Sequence, residues 1–232
     1  MSNDPKLNAA IAALDFIEDG MIVGLGTGST SAHFVRQLGE RVKQGLKVKG
    51  VPTSEATRNL AEQHGVPLLG ISQVTAIDVD VDGADEVDPQ FRLIKGGGGA
   101  LLREKIVAAA SKQMVVIADS SKWVETLGAF PLPVEVTRFG FSLTQARIQD
   151  ALRATGCSGD EVALRIAGKS NEPVITDGGN YILDAHALRI PDADALGAAL
   201  KSIAGVVEHG LFLGLAQTVI IGTSEGANVK RL

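Results

Sequence analysis

The residues best suited to chemistry lie in a few short stretches. They are Gly24-Leu25-Gly26-Thr27-Gly28-Ser29-Thr30, Asp82-Gly83-Ala84-Asp85-Glu86, Lys95 followed by Gly96, Gly97, Gly98 and Gly99, and Arg103-Glu104-Lys105. The first follows the apolar run Met21-Ile22-Val23 and precedes a helical pattern from near Ala32, so it reads as a strand turning through glycines into a helix. Such a turn aims backbone N–H groups at one point, with the positive end of the helix dipole behind them. That is a socket for phosphate, and the hydroxyls of Thr27, Ser29 and Thr30 add short donors. The spacing is G-x-G-x-G, with Ser29 where a dinucleotide fingerprint has its third glycine, and no acidic residue closes the next strand at Val51. No lysine follows the last glycine, so it is not a Walker loop either. A phosphate grip beside carboxylates and a lysine suggests proton transfer on a phosphorylated metabolite.

Asp82 and Asp85 bracket a Gly83-Ala84 turn. Like charges this close raise one another's proton affinity, and a lysine such as Lys95 offsets it, so protons can be exchanged near neutral pH. Glu86 and Asp88 are expected on the outside of the turn. Four consecutive glycines carry a high entropy cost, so Gly96–Gly99 imply positive φ or close approach of backbone to a ligand. Beyond them, Leu102, Ile106, Ala109 and Ala110 form an apolar helical stripe, and Glu104 falls roughly opposite it. Glu104 is therefore expected off the core, facing solvent or a cleft. Ser121-Lys122 follows an apolar run, where the lysine can meet an anion or water.

Positioning these groups requires a regular scaffold. Helical periodicity spans Lys6 to Phe16, a strand covers 21–25, a second helix fits Thr30 to Gly45, and Lys47 to Val51 is a strand. Ser54 with Thr57 opens another helix closed by Gly65, Val66 to Leu69 is extended, and Ile77 to Val81 is a strand ending in the acidic turn. This βαβα order predicts a parallel sheet with helices on both faces and ligands at the carboxyl ends of its strands. After the strand Met114 to Ala118 the rhythm breaks at Phe130-Pro131-Leu132-Pro133. A strand at Val134 to Val136, a helix near Leu143 to Ala154, a strand near Ala163 to Ala167 and a hairpin signal at Asp177-Gly178-Gly179-Asn180 follow. Phe212 to Gly214 and Thr218 to Gly222 should rejoin the main sheet. The expected fold is α/β: a Rossmann-like parallel sheet (1–130 and 205–232) plus a smaller inserted α+β domain (131–204).

The chain has 232 residues, 45% hydrophobic and 21% charged, enough for a substantial core. A net charge of −5, no basic cluster, and one Trp and one Tyr argue against a nucleic-acid partner. With a single cysteine, Cys157, there is no internal disulfide, and the four histidines are too scattered for metal-ligand spacing, so no metal is expected. No apolar run approaches the roughly 18 residues that span a bilayer, and the N-terminus lacks the basic and apolar regions of a leader. No membrane partner and a cytoplasmic location are expected.

Taken in order, GLGTGST, VDGADEVD, KGGGGALLREKI, ADSSKW, FPLPVEV, NEPVITDGGNYILD, GLFLG and VIIGT resemble the A-type ribose-5-phosphate isomerases. The resemblance covers almost the whole chain. It implies interconversion of D-ribose 5-phosphate and D-ribulose 5-phosphate in the non-oxidative pentose phosphate pathway, with no metal or organic cofactor. It implies Glu104 as the base. Substrate contacts are implied at Thr27, Gly28, Ser29 and Thr30, at Asp82, Gly83, Ala84 and Asp85, at Lys95, Gly96, Gly97 and Gly98, and at Lys122. The resemblance also implies a homodimer or homotetramer. From the chemistry of an enediol reaction, Lys95 and the glycine amides after it are candidates to face the developing charge, and Asp82, with Asp85 or Lys95 in support, to exchange protons as the sugar ring opens. Sugar-phosphate sensors and acyl-CoA transferases of similar architecture are the competing classes. A sensor needs a DNA-binding helix pair and a basic surface, and a transferase needs room for a long cofactor.

Overall fold

A computed structural model describes residues 2–168 and 171–232. In chain order the helices are α1 (Pro5–Ala13), α2 (Ser29–Lys43), α3 (Glu55–Gln63), α4 (Leu101–Ala109), α5 (Phe141–Ala154) and α6 (Ala193–Lys201). The strands of the first half are β1 (Ile22–Leu25), β2 (Lys49–Pro52), β3 (Val79–Gly83), β4 (Glu86–Val87), β5 (Leu93–Ile94) and β6 (Met114–Asp119). Those of the second half are β7 (Leu132–Val136), β8 (Glu161–Leu164), β9 (Ile166–Ala167), β10 (Glu172–Pro173), β11 (Tyr181–His186), β12 (Val206–His209), β13 (Leu211–Phe212), β14 (Thr218–Thr223) and β15 (Gly226–Arg231).

Contacts divide the chain into two compact units. The first runs to Ala84 and resumes over Arg103–Trp123 and Gly214–Leu232; the second holds Asp85–Leu102 and Val124–Leu213. The boundary differs from the expected 131–204 insertion. The second unit also takes in 85–102, because β4 and β5 pair with β13 in a three-stranded sheet there. The acidic turn is thus where the chain passes from one unit to the other.

The first unit is built on a six-stranded sheet of order β15-β14-β6-β3-β1-β2. Its pairings are parallel except at the edge, where β15 returns antiparallel on β14. One face presents Val23, Leu25, Val79, Val81, Val115 and Ile117, which pack against Ala9, Ala10 and Ala13 of α1 and Phe34, Val35 and Leu38 of α2. Each fully buried aliphatic side chain of this kind contributes about 1.5–3 kcal/mol. On the opposite face Val51 and Ile77 pack against Val107 of α4. Caps set the helix starts: the Asp4 carboxylate accepts the Lys6 amide ahead of α1, with Pro5 in the first turn, and the Ser54 hydroxyl accepts the Thr57 amide ahead of α3.

The second unit carries an antiparallel sheet of order β12-β7-β11-β8. Val134, Val136, Leu183 and Ala185 meet Ile148 and Leu152 of α5 and Leu196 and Leu200 of α6. Phe212 belongs to β13 of this unit, so of the two runs expected to rejoin the main sheet it is Thr218–Thr223 that does so, with β15 beside it. Glu86 and Asp88 also depart from expectation: both are buried. The Glu86 carboxylate accepts the amides of Gly128 and Phe130 at 2.7 and 2.6 Å, and Asp88 accepts the amides of Gln90 and Arg92 and the Arg92 Nε. Buried carboxylates are retained where such donors meet them, and a sequence pattern cannot show donors some forty residues away.

Candidate active site

In the first unit, β1 ends at Leu25 and α2 begins at Ser29, as the glycine pattern requires. The cap of α2 is Gly28, at φ +118°, a conformation that favours glycine. Ser29 and Thr30 therefore stand in the first turn of α2, beside its N-terminal amides and the positive end of its dipole. Gly24 and Gly26 serve a different purpose. Gly24 lies opposite Asp80 in the β1–β3 register, and a Cβ there would fall 2.5 Å from Asp80 Oδ1 and 2.6 Å from Val107 Cγ1. A Cβ at Gly26 would fall 2.0 Å from Asp82 Oδ1 and 2.6 Å from the Asp82 Cα. These two glycines make room for two buried aspartates, while Gly28 shapes the turn.

Asp82 is fully buried. Its Oδ1 accepts the amide of Thr27 at 3.1 Å, the hydroxyl of Ser31 at 3.1 Å and its neighbour Gly83 amide at 2.7 Å, which fixes the orientation of the carboxylate. The Thr27 hydroxyl turns inward, within 2.7–3.1 Å of the hydroxyls of Thr53, Ser54 and Thr57. The sequence marks Ser54 and Thr57 only as a helix start; their place under the loop depends on the parallel pairing of β1 and β2.

Glu104 is only 3% exposed, so its expected place off the core is overturned. The buried set on α4 is Leu101, Glu104, Val107 and Ala108, spaced three and four apart, whereas Ile106 is 49% exposed. The apolar stripe read from Leu102 and Ile106 is out of phase with the face that meets the sheet. Because α4 leads into β6, which is parallel to β3, the helix runs against the strands. One turn back from Val107 therefore carries Glu104 toward the Asp82 end of β3, on the face that Asp80 and Asp82 share.

Lys122 follows β6 in a short turn after Asp119. Burial by itself would raise the Asp119 carboxyl. That largest influence is outweighed by hydrogen bonds from the Ser121 hydroxyl and amide and by the charges of Lys122 and Lys6, so it lies below the usual carboxylate range. Lys6 was not singled out from the sequence. Its Nζ donates to Ser29 Oγ at 3.0 Å, bringing a cation to the first turn of α2. A lysine at the start of a predicted helix carries no signal in sequence that it will reach Ser29.

In the second unit, Lys95 is 2% exposed, with its ammonium 5.4 Å from the centre of the Phe212 ring and its amide donating to Gly210 O at 2.9 Å. The glycine run behaves as expected at its ends. Gly96 has φ +100° and Gly99 has φ +83°, and the Gly99 amide closes a turn on Gly96 O at 3.0 Å. Asp85 Oδ2 accepts the Gly97 amide at 2.7 Å. That amide is held by a protein carboxylate. Among the described residues, no group of three or more His, Cys, Asp or Glu could hold a metal ion, and no helix is long and apolar enough to cross a membrane.

A parallel α/β sheet bearing hydroxyls and a lysine at a helix N-terminus, with a buried aspartate and glutamate on one side, suits an enzyme acting on a phosphorylated metabolite, and the similar proteins make the class an aldose–ketose isomerase. The sequence model of the family described as ribose 5-phosphate isomerase A (phosphoriboisomerase A) matches residues 49–226. Ribose-5-phosphate isomerase A of Maricaulis maris is 57% identical, over 98% of this chain and 97% of that protein. The solved ribose 5-phosphate isomerase A of Methanocaldococcus jannaschii is 40% identical with a TM-score of 0.89, covering 99% of each chain. A D-ribose-5-phosphate isomerase solved in complex with phospho-erythronic acid is 42% identical with a TM-score of 0.91, covering 100% of each. The chain belongs to the ribose 5-phosphate isomerase A family.

Proposed function

We propose that the protein interconverts D-ribose 5-phosphate and D-ribulose 5-phosphate through an enediol, in the non-oxidative pentose phosphate pathway, with Glu104 as the proton shuttle. The observation that carries the assignment of the base is a glutamate buried to 3% exposure on the sheet-facing side of α4. A buried carboxyl is costly unless it is used or held, and one held beside a reacting carbon is a competent general base.

The phosphate is bound by Ser29, Thr30 and the N-terminus of α2, with Lys6 and Lys122 supplying positive charge. Asp82, held by Thr27, Ser31 and Gly83, exchanges the hydroxyl and ring-oxygen protons as the sugar opens, supported by Asp85 or Lys95. In the open aldose, Glu104 takes the proton from C2. The C–H electron pair becomes the C1–C2 double bond, and negative charge collects on O1. The ammonium of Lys95 stabilises that charge. The O2 proton passes to O1, which moves the charge to O2, and the same carboxyl then returns its proton to C1 as the carbonyl re-forms at C2. Phospho-erythronic acid, bound by a solved relative, suits such a site: its carboxylate sets two oxygens side by side, as an enediol does. A cytoplasmic location and a homodimer or homotetramer accompany this reading, as do a sheet-based catalytic domain and a smaller α+β domain.

The test is formation of ribulose 5-phosphate from ribose 5-phosphate with a chelator present. Turnover should survive the chelator. In Lys6→Met, KM should rise roughly tenfold or more with kcat nearly kept, since a charge-assisted phosphate contact is worth about 1.5–3 kcal/mol in both ground and transition states. No turnover by the native protein would refute the assignment.

A further inference from the structure

Arg165, between β8 and β9, has no part in the chemistry above, yet its guanidinium touches the glycine loop. Nη1 donates to Gly96 O at 2.9 Å and to Gly97 O at 3.1 Å. Nε donates to Asp184 Oδ2 at 2.8 Å and Nη2 to Asp184 Oδ1 at 2.5 Å, so the other edge of the same plane is held by a carboxylate on β11. The two side chains are 16% and 20% exposed. Asp184 is itself in register with Ala163 of the neighbouring strand β8, and the Arg165 amide donates to Ile182 O at 2.9 Å. The arginine is thus anchored by backbone and side chain before it reaches the loop.

We infer that Arg165, oriented by Asp184, is a positioning residue for the isomerisation, fixing the Lys95–Gly98 loop and, through one peptide unit, Asp85. The inference rests on the reading that this loop meets substrate. A run of four glycines has more conformations to lose than any other tetrapeptide, so it holds one geometry only if its peptide groups are tied. Here the ties come from opposite sides. The peptide joining Gly96 to Gly97 has its carbonyl on the Arg165 cation and its N–H on the Asp85 carboxylate at 2.7 Å. A cation on the carbonyl polarises that peptide and strengthens the N–H donation to Asp85. The next carbonyl, Gly97 O, shares its peptide with the Gly98 N–H, which is polarised in the same way. Lysine cannot replace this arrangement, because four bonds in one plane need the guanidinium fork.

The test compares native protein with Arg165→Gln, Arg165→Lys and Asp184→Asn, by steady-state kinetics, thermal melting and amide hydrogen exchange. The expected result is a kcat lowered roughly 10- to 100-fold in both Arg165 variants, the scale of a small misplacement of catalytic groups. KM should change less than about threefold, because the phosphate contacts lie elsewhere. Exchange should quicken at Gly97–Ala100 while the amides of β7 and β11 keep their native protection, and Asp184→Asn should show the same pattern more weakly. Native kcat in Arg165→Gln would overturn the inference. So would exchange quickened throughout β7 and β11, which would make the pair a prop of the whole unit. A native protein without isomerase activity would instead refute the assigned reaction.

Discussion

Glu104→Gln is expected to lower kcat by roughly a hundredfold to ten-thousandfold, the range for a lost general base, with KM changed little. The amide has the shape of the carboxylate and fills the same buried position on α4, so the helix keeps its packing through Leu101, Val107 and Ala108. The loss therefore falls on the chemical step. The melting temperature of the same sample reports whether the fold survives the change. Steady-state kinetics with a thermal melt on the same sample separate the two effects. A variant that keeps kcat within tenfold of native would move the base to Asp82 or Asp85.

The second large effect is structural. Gly26→Ala should destabilise the protein by about 3 kcal/mol or more, as overpacking of a rigid site does. The new methyl would fall 2.0 Å from Asp82 Oδ1, which could rotate away only by leaving its three donors, and 2.6 Å from the Asp82 Cα, which cannot rotate away at all. β1 and β3 would have to part. Gly83→Ala is the control: its Cβ meets nothing closer than the Ser31 Oγ at 3.5 Å, so its melting temperature should stay near native. Equal melting temperatures for the two variants would mean that the strands can shift to admit the methyl.

The parallel sheet and the turn into α2 were legible because strand–glycine–helix punctuation is local. So was the glycine loop, whose positive φ at Gly96 follows from residue type. What the pattern missed depended on distant chain. The burial of Glu104 reversed the reading of α4, since a helix with only a few large apolar residues does not declare which face meets the sheet. Glu86 and Asp88 looked like solvated turn acids because the amides they bind, such as those of Gly128 and Phe130, are far off in sequence or in the loop after them. The purpose of Gly24 and Gly26 needed the β1–β3 register, which pairs Gly24 with Asp80. Phe212 looked like main-sheet sequence, but a two-residue strand is too short for its composition to choose a partner.

The measurement that bears most directly on proton transfer by a carboxylate through an enediol is conversion of ribose 5-phosphate in D2O, followed by NMR at C1 of the product. The carboxyl proton exchanges with solvent, so deuterium should enter C1 of ribulose 5-phosphate during turnover by the native protein, and at a rate reduced in proportion to kcat in Glu104→Gln. Complete retention of the substrate hydrogen through many rounds of interconversion would mean a direct hydride shift and contradict the mechanism.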